Sequence, residues 1–277
     1  LHERLPLICE LAEEFLGVDP AQTPIPVLPA VHYTMGGIVA DGKTASSLSG
    51  LYSVGECSSV GIHGANRLAS NSLTELIVFG KVAGVEAAKF AKSVAISNPA
   101  ALEKQAEAAQ ARALGIVTGS GGKERMAVLR TEMAQSMEDG CGIYRLQGDM
   151  QTTCDKLREL RERYQHLKID DHSKVYNTEW LLGIELGYLL EVAEAIVHSA
   201  LNRKESRGSH QRLDGYEKRD DVNFLKHSLA YYTGDGVPRI EYGDVKITKS
   251  KPGTRAYGAA GEKAEADERE REGAGNG

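Results

Sequence analysis

Residues 32–73 read HYTMGGIVADGKTASSLSGLYSVGECSSVGIHGANRLASNSL, and the reading of this stretch decides the fold. Gly36 and Gly37 mark a sharp turn at a place where a side chain would obstruct the backbone. Residues 38–40 restart a strand, and Asp41-Gly42 is a hairpin signal. Residues 51–54 (LYSV) form a short apolar strand that ends in Gly55-Glu56, and residues 57–71 are a loop rich in Gly, Ser and Asn. Ser72-Leu73-Thr74-Glu75 then fits the S-x-x-E capping box of a helix that runs to about Ala91. Strand, glycine-bearing loop and helix N-terminus in that order are how α/β proteins hold an anionic or electron-rich ligand. His32 and Arg67 are side chains suited to gripping a small dianion.

Upstream, residues 3–16 have helical apolar spacing and stop before Gly17 and Pro20. Pro24, Pro26 and Pro29 force an extended segment that delivers His32 at the end of a strand. Downstream, the chain turns Ala- and Glu-rich and charged, with helices expected over 99–114, 122–138, 144–167 and 177–204, capped by Asn98 before Pro99 and by Asn177. Residues 206–227 mix charge with apolar positions, which suggests a wrapped, hydrogen-bonded segment; Arg207, His210 and Asp214 could form a second charged site, and a buried polar network is the preferred reading. A β-hairpin follows, its turn at Gly234-Asp235-Gly236. The Gly/Ala/Glu-rich residues 258–277 are expected to be disordered.

The composition narrows the function classes. A net charge of -6 leaves no basic surplus to neutralise phosphates, which argues against nucleic acid. Cys9, Cys57, Cys141 and Cys154 have no CxxC or zinc spacing and suit a reducing compartment, and no metal site is expected. Residues 180–201 are apolar and long enough to span a bilayer. Glu185, Glu191 and Glu194 within that run would each cost roughly 2.5 kcal/mol or more in lipid, so a packed helix is expected instead. Residues 119–123 (GSGGK) tempt one toward a phosphate loop, but Glu124 stands where Ser/Thr is required and Val117 where the first Gly belongs. They are read as an interhelical turn.

HYTMGG, GLYSVGECSS, HGANRLASNSL and ESRGSHQRLD together resemble the flavoprotein subunits of fumarate reductase, in the succinate dehydrogenase family. The resemblance runs along the chain up to the tail and corresponds to the C-terminal half of such a subunit. The implied fold is α/β plus α. The end of a capping domain (1–24) and the C-terminal part of an FAD-binding domain of the two-dinucleotide-binding type (25–97) come first. An antiparallel helical domain (98–205), a small α+β region with the hairpin (206–257) and the tail (258–277) follow. Thr44-x6-LYSV-Gly55-Glu56 also resembles the second fingerprint of such flavoproteins, in which the acid accepts from the flavin's ribityl hydroxyls.

The resemblance implies interconversion of fumarate and succinate by hydride transfer with FAD. His32 and Arg67 would hold the dicarboxylate; an arginine fork matches a carboxylate bidentately and stays charged. Glu56, Ser72 and Leu73 would hold the flavin, the last two through amides at a helix N-terminus that favours the anionic reduced ring. His63 is weighed equally as site lining and as structural support, while Met35 and Cys57 are read as packing. The flavin-attaching histidine, the GxGxxG turn and the proton-delivering arginine are expected upstream, and the start at Leu1 rather than Met fits a piece of a longer chain. The family's partners are an iron–sulfur subunit and, through it, membrane anchor subunits, with the flavoprotein peripheral on the cytoplasmic face. Thr34 and the GECSS loop look more like fumarate reductases than succinate dehydrogenases. The alternatives are an L-aspartate oxidase, which shares a similar HYxxGG stretch, and a non-catalytic docking piece.

Overall fold

The computed structural model describes residues 1–95, 99–119, 122–234 and 237–248. Asn98, Ser120 and Gly121 of the GSGGK turn, Asp235, Gly236 and the 258–277 tail, each the subject of an expectation above, lie outside the described residues.

Helix α1 (Pro6–Leu16) takes Pro6 into its first turn, where a missing N–H leaves nothing unsatisfied. Gly17 ends it in the left-handed region (φ 67°), its N–H bonding to Glu13 O. The chain from there to Gly37 forms no strand, contrary to the extended strand expected to deliver His32. Pro24, Pro26 and Pro29 lack the N–H groups that a ladder needs. Strand β1 (Ile38–Val39) pairs in parallel with β2 (Ser58–Ser59), a strand inside what the sequence suggested was loop. The strand expected at 51–54 is reduced to a single bridge from Tyr52 to Ala45. The Asp41-Gly42 turn does form: Asp41 Oδ1 accepts from Lys43 N and Ala45 N, and Ala40 bridges Ser46.

Helix α2 (Asn71–Ser93) starts one residue before the expected box, and the box itself is absent. The residue before it, Ser70, sits at φ 65° with no side-chain cap, and Glu75 turns inward to other partners described below. Of the large apolar residues of α2, Leu73 and Ile77 are 65% and 75% exposed.

The core lies in the helices. α3 (Pro99–Thr118), α4 (Met126–Cys141), α5 (Gln147–Tyr164) and α6 (Thr178–Asn202) follow one another along the chain. Ser136 meets Thr153 and Glu132 meets Arg163, so α4 and α5 run antiparallel. Arg161 meets Glu194 and Tyr164 bonds to Gly183 O, so α5 and α6 do too. Trp180 Nε1 donates to Ala113 O and ties α3 to α6. The α4 start is four residues later than expected. The chain ahead of it pairs with 166–168: Gly122 lies where a Cβ would meet His166 O at 2.4 Å, and Glu124 N donates to His166 O. The α5 start is three residues later than expected, because Tyr144 and Arg145 are drawn into strand β3. Asn177 caps α6 as expected, its Oδ1 accepting from Trp180 N at 2.8 Å.

Leu129, Met150, Leu157, Leu160 and Leu186 are wholly excluded from solvent between these helices. Leu186→Ala is expected to cost about 2–5 kcal/mol in a denaturant melt, the usual range for a large-to-small change at a site that cannot collapse. No described helix is long and apolar enough to cross a membrane. The acid that breaks the apolar run, Glu194, is 3% exposed and takes Arg161 at 2.6 Å. Burial still holds its carboxyl above the ordinary range.

Strand β3 (Tyr144–Arg145) pairs in parallel with β4 (Gln211–Arg212), which fastens residues 206–227 to the helices. A four-residue helix, α7 (Asp221–Phe224), is capped by Asp220, which accepts from Val222 N and Asn223 N. The expected hairpin is formed by β5 (Lys226–Tyr231) and β6 (Arg239–Asp244), antiparallel, in register from Lys226↔Asp244 to Tyr231↔Arg239.

Candidate functional site

Three consecutive residues of the irregular segment before β1 connect most of the expected site. Thr34 N donates to Glu56 Oε1 at 2.9 Å. Tyr33 OH donates to Glu75 Oε2 at 3.2 Å, and the Arg67 guanidinium lies over the Tyr33 ring, 4.5 Å from its centroid. His32 is exposed and directly precedes Tyr33. The segment is held close by glycines. A Cβ on Gly37 (φ 124°) would sit 2.4 Å from Cys57 O, and one on Gly55 (φ 82°) 2.5 Å from Leu76 Cδ2.

Arg67 has an uneven hydrogen-bond environment. Its Nη1 donates to Leu68 O at 3.1 Å, while its Nε is buried with no partner among the described residues. A buried guanidinium donor without an acceptor is costly unless a ligand supplies one. Beneath it, Glu75 is 2% exposed and accepts from His63 Nε2 at 2.6 Å as well as from Tyr33. His63 meets the Tyr33 ring edge-on, 5.6 Å between centroids at 87°. Of the two readings open for His63, structural support fits these contacts.

Ser72 and Leu73 open α2, and the αL turn at Ser70 brings no side-chain cap to the first-turn amides. The Ser72 hydroxyl is therefore not the capping group that the S-x-x-E pattern suggested. Cys57 contributes its backbone to the cluster: its carbonyl accepts from Ile38 N at 2.8 Å.

The loop that carries Arg67 is gripped from behind by the C-terminal segment. Ser209 N and Oγ both donate to Ala65 O, at 3.0 and 3.1 Å. Gly208 (φ 58°) comes so near that a Cβ there would lie 2.3 Å from the same oxygen. Behind this turn is the buried polar network expected around Arg207, His210 and Asp214. Glu205 takes Arg203 and Arg207, and Arg212 forks onto Asp214 at 2.8 and 2.6 Å.

His210 Nδ1 accepts from Arg145, and so its Nε2–H donates to Arg203 O. Burial, with Arg145 beside it, pushes the imidazole down from 6.5 to about 4. The unfolded chain therefore binds this proton first. The stabilisation from a neutral His210 is complete above pH 6.5 and is lost as pH falls toward 4. Urea melts across that window are expected to show a decline of up to about 3 kcal/mol from this group. His210→Gln is expected to flatten that slope, and an unchanged slope would remove His210 from the explanation.

Tyr33 and Glu75 are the members of the cluster that sequence reasoning missed. Glu75 satisfied a local helix-start pattern, and nothing nearby marked it as a partner for Tyr33, 42 residues away. The cleft between α6 and the hairpin, lined by Arg161, Glu194 and Tyr231, shares no residue with this cluster.

The comparisons with known proteins place the chain in a family. Residues 1–73 match the family model described as FAD binding domain, and residues 130–257 match that described as Fumarate reductase flavoprotein C-term. The chain is 57% identical over 259 residues to the fumarate reductase flavoprotein subunit of Proteus vulgaris, covering 93% of this chain and 43% of that protein. It is 38% identical to the succinate dehydrogenase flavoprotein subunit of Rickettsia bellii, covering 90% of this chain and 43% of that one. Among solved structures, a variant of E. coli quinol fumarate reductase superposes with a TM-score of 0.87 at 55% identity, covering 92% of this chain and 43% of the other. The chain thus spans less than half the length of these relatives. With those identities sustained along nine-tenths of its length, it belongs to the FAD-dependent fumarate reductase and succinate dehydrogenase flavoprotein family.

Proposed function

We propose that this chain supplies one wall of the site at which FAD and a C4 dicarboxylate meet, in an enzyme that interconverts fumarate and succinate. The observation that carries this reading is Arg67: a guanidinium over the Tyr33 ring, with a buried Nε that no described residue satisfies. Such a fork accepts a carboxylate in its plane and stays charged while doing so. His32, exposed on the same segment, is the second grip.

The flavin-facing residues fit the cofactor. Glu56 spends one oxygen on Thr34 N, and a carboxylate has further lone pairs for ribityl hydroxyls. The first-turn amides of α2 near Ser72 and Leu73 are uncapped by any side chain at Ser70, and a helix N-terminus carries about half a positive charge. FAD, when bound, supplies the hydride chemistry. The residues of this chain orient the dicarboxylate, draw charge toward its carboxylates and polarise the alkene, while the proton is assigned to an arginine outside this chain. The exposed apolar side of α2, Leu73 and Ile77 included, is assigned to the rest of the FAD domain.

Electrons are inferred to pass to or from an iron–sulfur subunit and, through membrane anchor subunits, the quinone pool, with this subunit peripheral on the cytoplasmic face. The boundaries at 24, 97, 205 and 257 are proposed as domain limits. A fumarate reductase assignment is preferred to an L-aspartate oxidase on the strength of the long helical region followed by the RDDVNFLKH segment and the hairpin.

The test is fumarate-dependent oxidation of a reduced viologen by the complete subunit. Turnover with fumarate is expected, and turnover with aspartate and oxygen in its place would favour the oxidase. The chain of 277 residues alone is expected to hold no stoichiometric FAD; a visible flavin band at one equivalent would contradict the half-site reading.

A further inference from the structure

We propose that Glu75 is a positioning residue for dicarboxylate binding, fixing through Tyr33 and His63 the plane on which the Arg67 guanidinium lies. The inference rests on the reading of Arg67 as a substrate grip and goes beyond it by naming what aims that grip.

A fork that must meet a carboxylate in its own plane needs that plane set in advance. Arg67 has one polar contact with its own loop, Nη1 to Leu68 O, and one platform, the Tyr33 ring. The position of the ring therefore limits where the fork can sit. Tyr33 is fixed at two points. Its hydroxyl donates to Glu75 Oε2 at 3.2 Å, and its edge is met by His63 at 87°. Both points converge on one atom, because His63 Nε2 lies 2.6 Å from the same Glu75 oxygen. Burial and the Glu75 charge hold the Tyr33 hydroxyl above its ordinary value, so it remains a donor.

Glu75 is itself immobile. It is the fifth residue of α2, 2% exposed, and a buried carboxylate persists only when its hydrogen bonds are made. The same helix start bears Ser72 and Leu73, assigned to the flavin. Glu75 thus references the substrate fork to the element that faces the cofactor. A buried acid that only stabilised the helix start would have no need of an aromatic ring 42 residues away.

The experiment is a titration of the oxidised, FAD-loaded complete subunit with malonate, followed by the flavin absorption band. Fumarate kinetics, FAD content and thermal melts are recorded alongside. Tyr33→Phe removes one oxygen and keeps the platform. It is expected to raise the malonate Kd about 3–10-fold, the equivalent of one hydrogen bond, with FAD content unchanged and the melting temperature lowered by the loss of the same bond. Glu75→Leu frees both the ring and His63 and is expected to raise it further, in both Kd and KM. Glu75→Gln keeps the length and an acceptor and should restore most of the affinity.

A malonate affinity within twofold of wild type in Tyr33→Phe, with melting temperature alone lowered, would overturn the inference. Failure of Glu75→Leu to fold would leave the decision to Tyr33→Phe. An absence of malonate binding by the wild-type subunit would instead refute the dicarboxylate site itself.

Discussion

Arg67→Lys in the complete subunit is expected to lower kcat/KM for fumarate by at least about 100-fold, the range seen when a donor to developing charge is removed. Lysine keeps the charge and loses the fork. Its ammonium is a strongly hydrated point on a flexible stem, and it cannot lie flat on Tyr33 while presenting two parallel N–H groups. FAD content should stay at the wild-type ratio, since Glu56, Ser72 and Leu73 are untouched. Turnover within about threefold of wild type would remove Arg67 from the site.

Glu205→Ala is expected to have the largest effect on stability, about 3–5 kcal/mol in denaturant unfolding, as when one partner of a buried ion pair is removed. Glu205 is wholly buried and accepts from Arg203 Nη1 at 2.6 Å, from Arg207 Nε and Nη2 at 2.7 and 2.9 Å, and from Asp220 N at 2.8 Å. Without it, Arg207 keeps only Asp221 as a carboxylate partner, and the largely buried Arg203 guanidinium is left with no carboxylate described for it. Arg203 also reaches Phe224 O and Lys226 O, so the same carboxylate ties the end of α6 to α7 and the hairpin. The next turn along, Gly208-Ser209, holds Ala65, two residues from Arg67. A loss below about 1 kcal/mol would mean that Arg203 and Arg207 find other partners, contrary to this account.

The helical half was readable because its signals are local. The apolar spacing, the Asn177 cap and Pro99 at the head of α3 lie within a turn of the structure that they specify. The half around residues 32–73 was less legible. Strands β1 and β2 are two residues each and pair across twenty positions, too short to leave a period-2 pattern. The prolines before His32 suggest a strand that does not form, since residues without N–H donors make no ladder. Glu75 is the clearest case. S-x-x-E is a local pattern, and a glutamate capping its own helix cannot be told in sequence from one reaching Tyr33 and His63. The choice was made by tertiary burial, which left Glu75 at 2% exposure.

Arg67 and His32 were found through motif resemblance, and the structure adds what surrounds them: a ring under the fork, an acid under the ring and a turn of the C-terminal segment behind the loop. In the proposed dicarboxylate site the positive charge comes from a guanidinium and a helix terminus.

The most direct test of the account is the malonate dissociation constant of the oxidised complete subunit, read from the flavin band in wild type and in Arg67→Lys. The account predicts a saturable spectral change in the wild type and a dissociation constant raised at least about tenfold in the variant, the equivalent of one lost charge-assisted contact. Equal constants for the two proteins would contradict it.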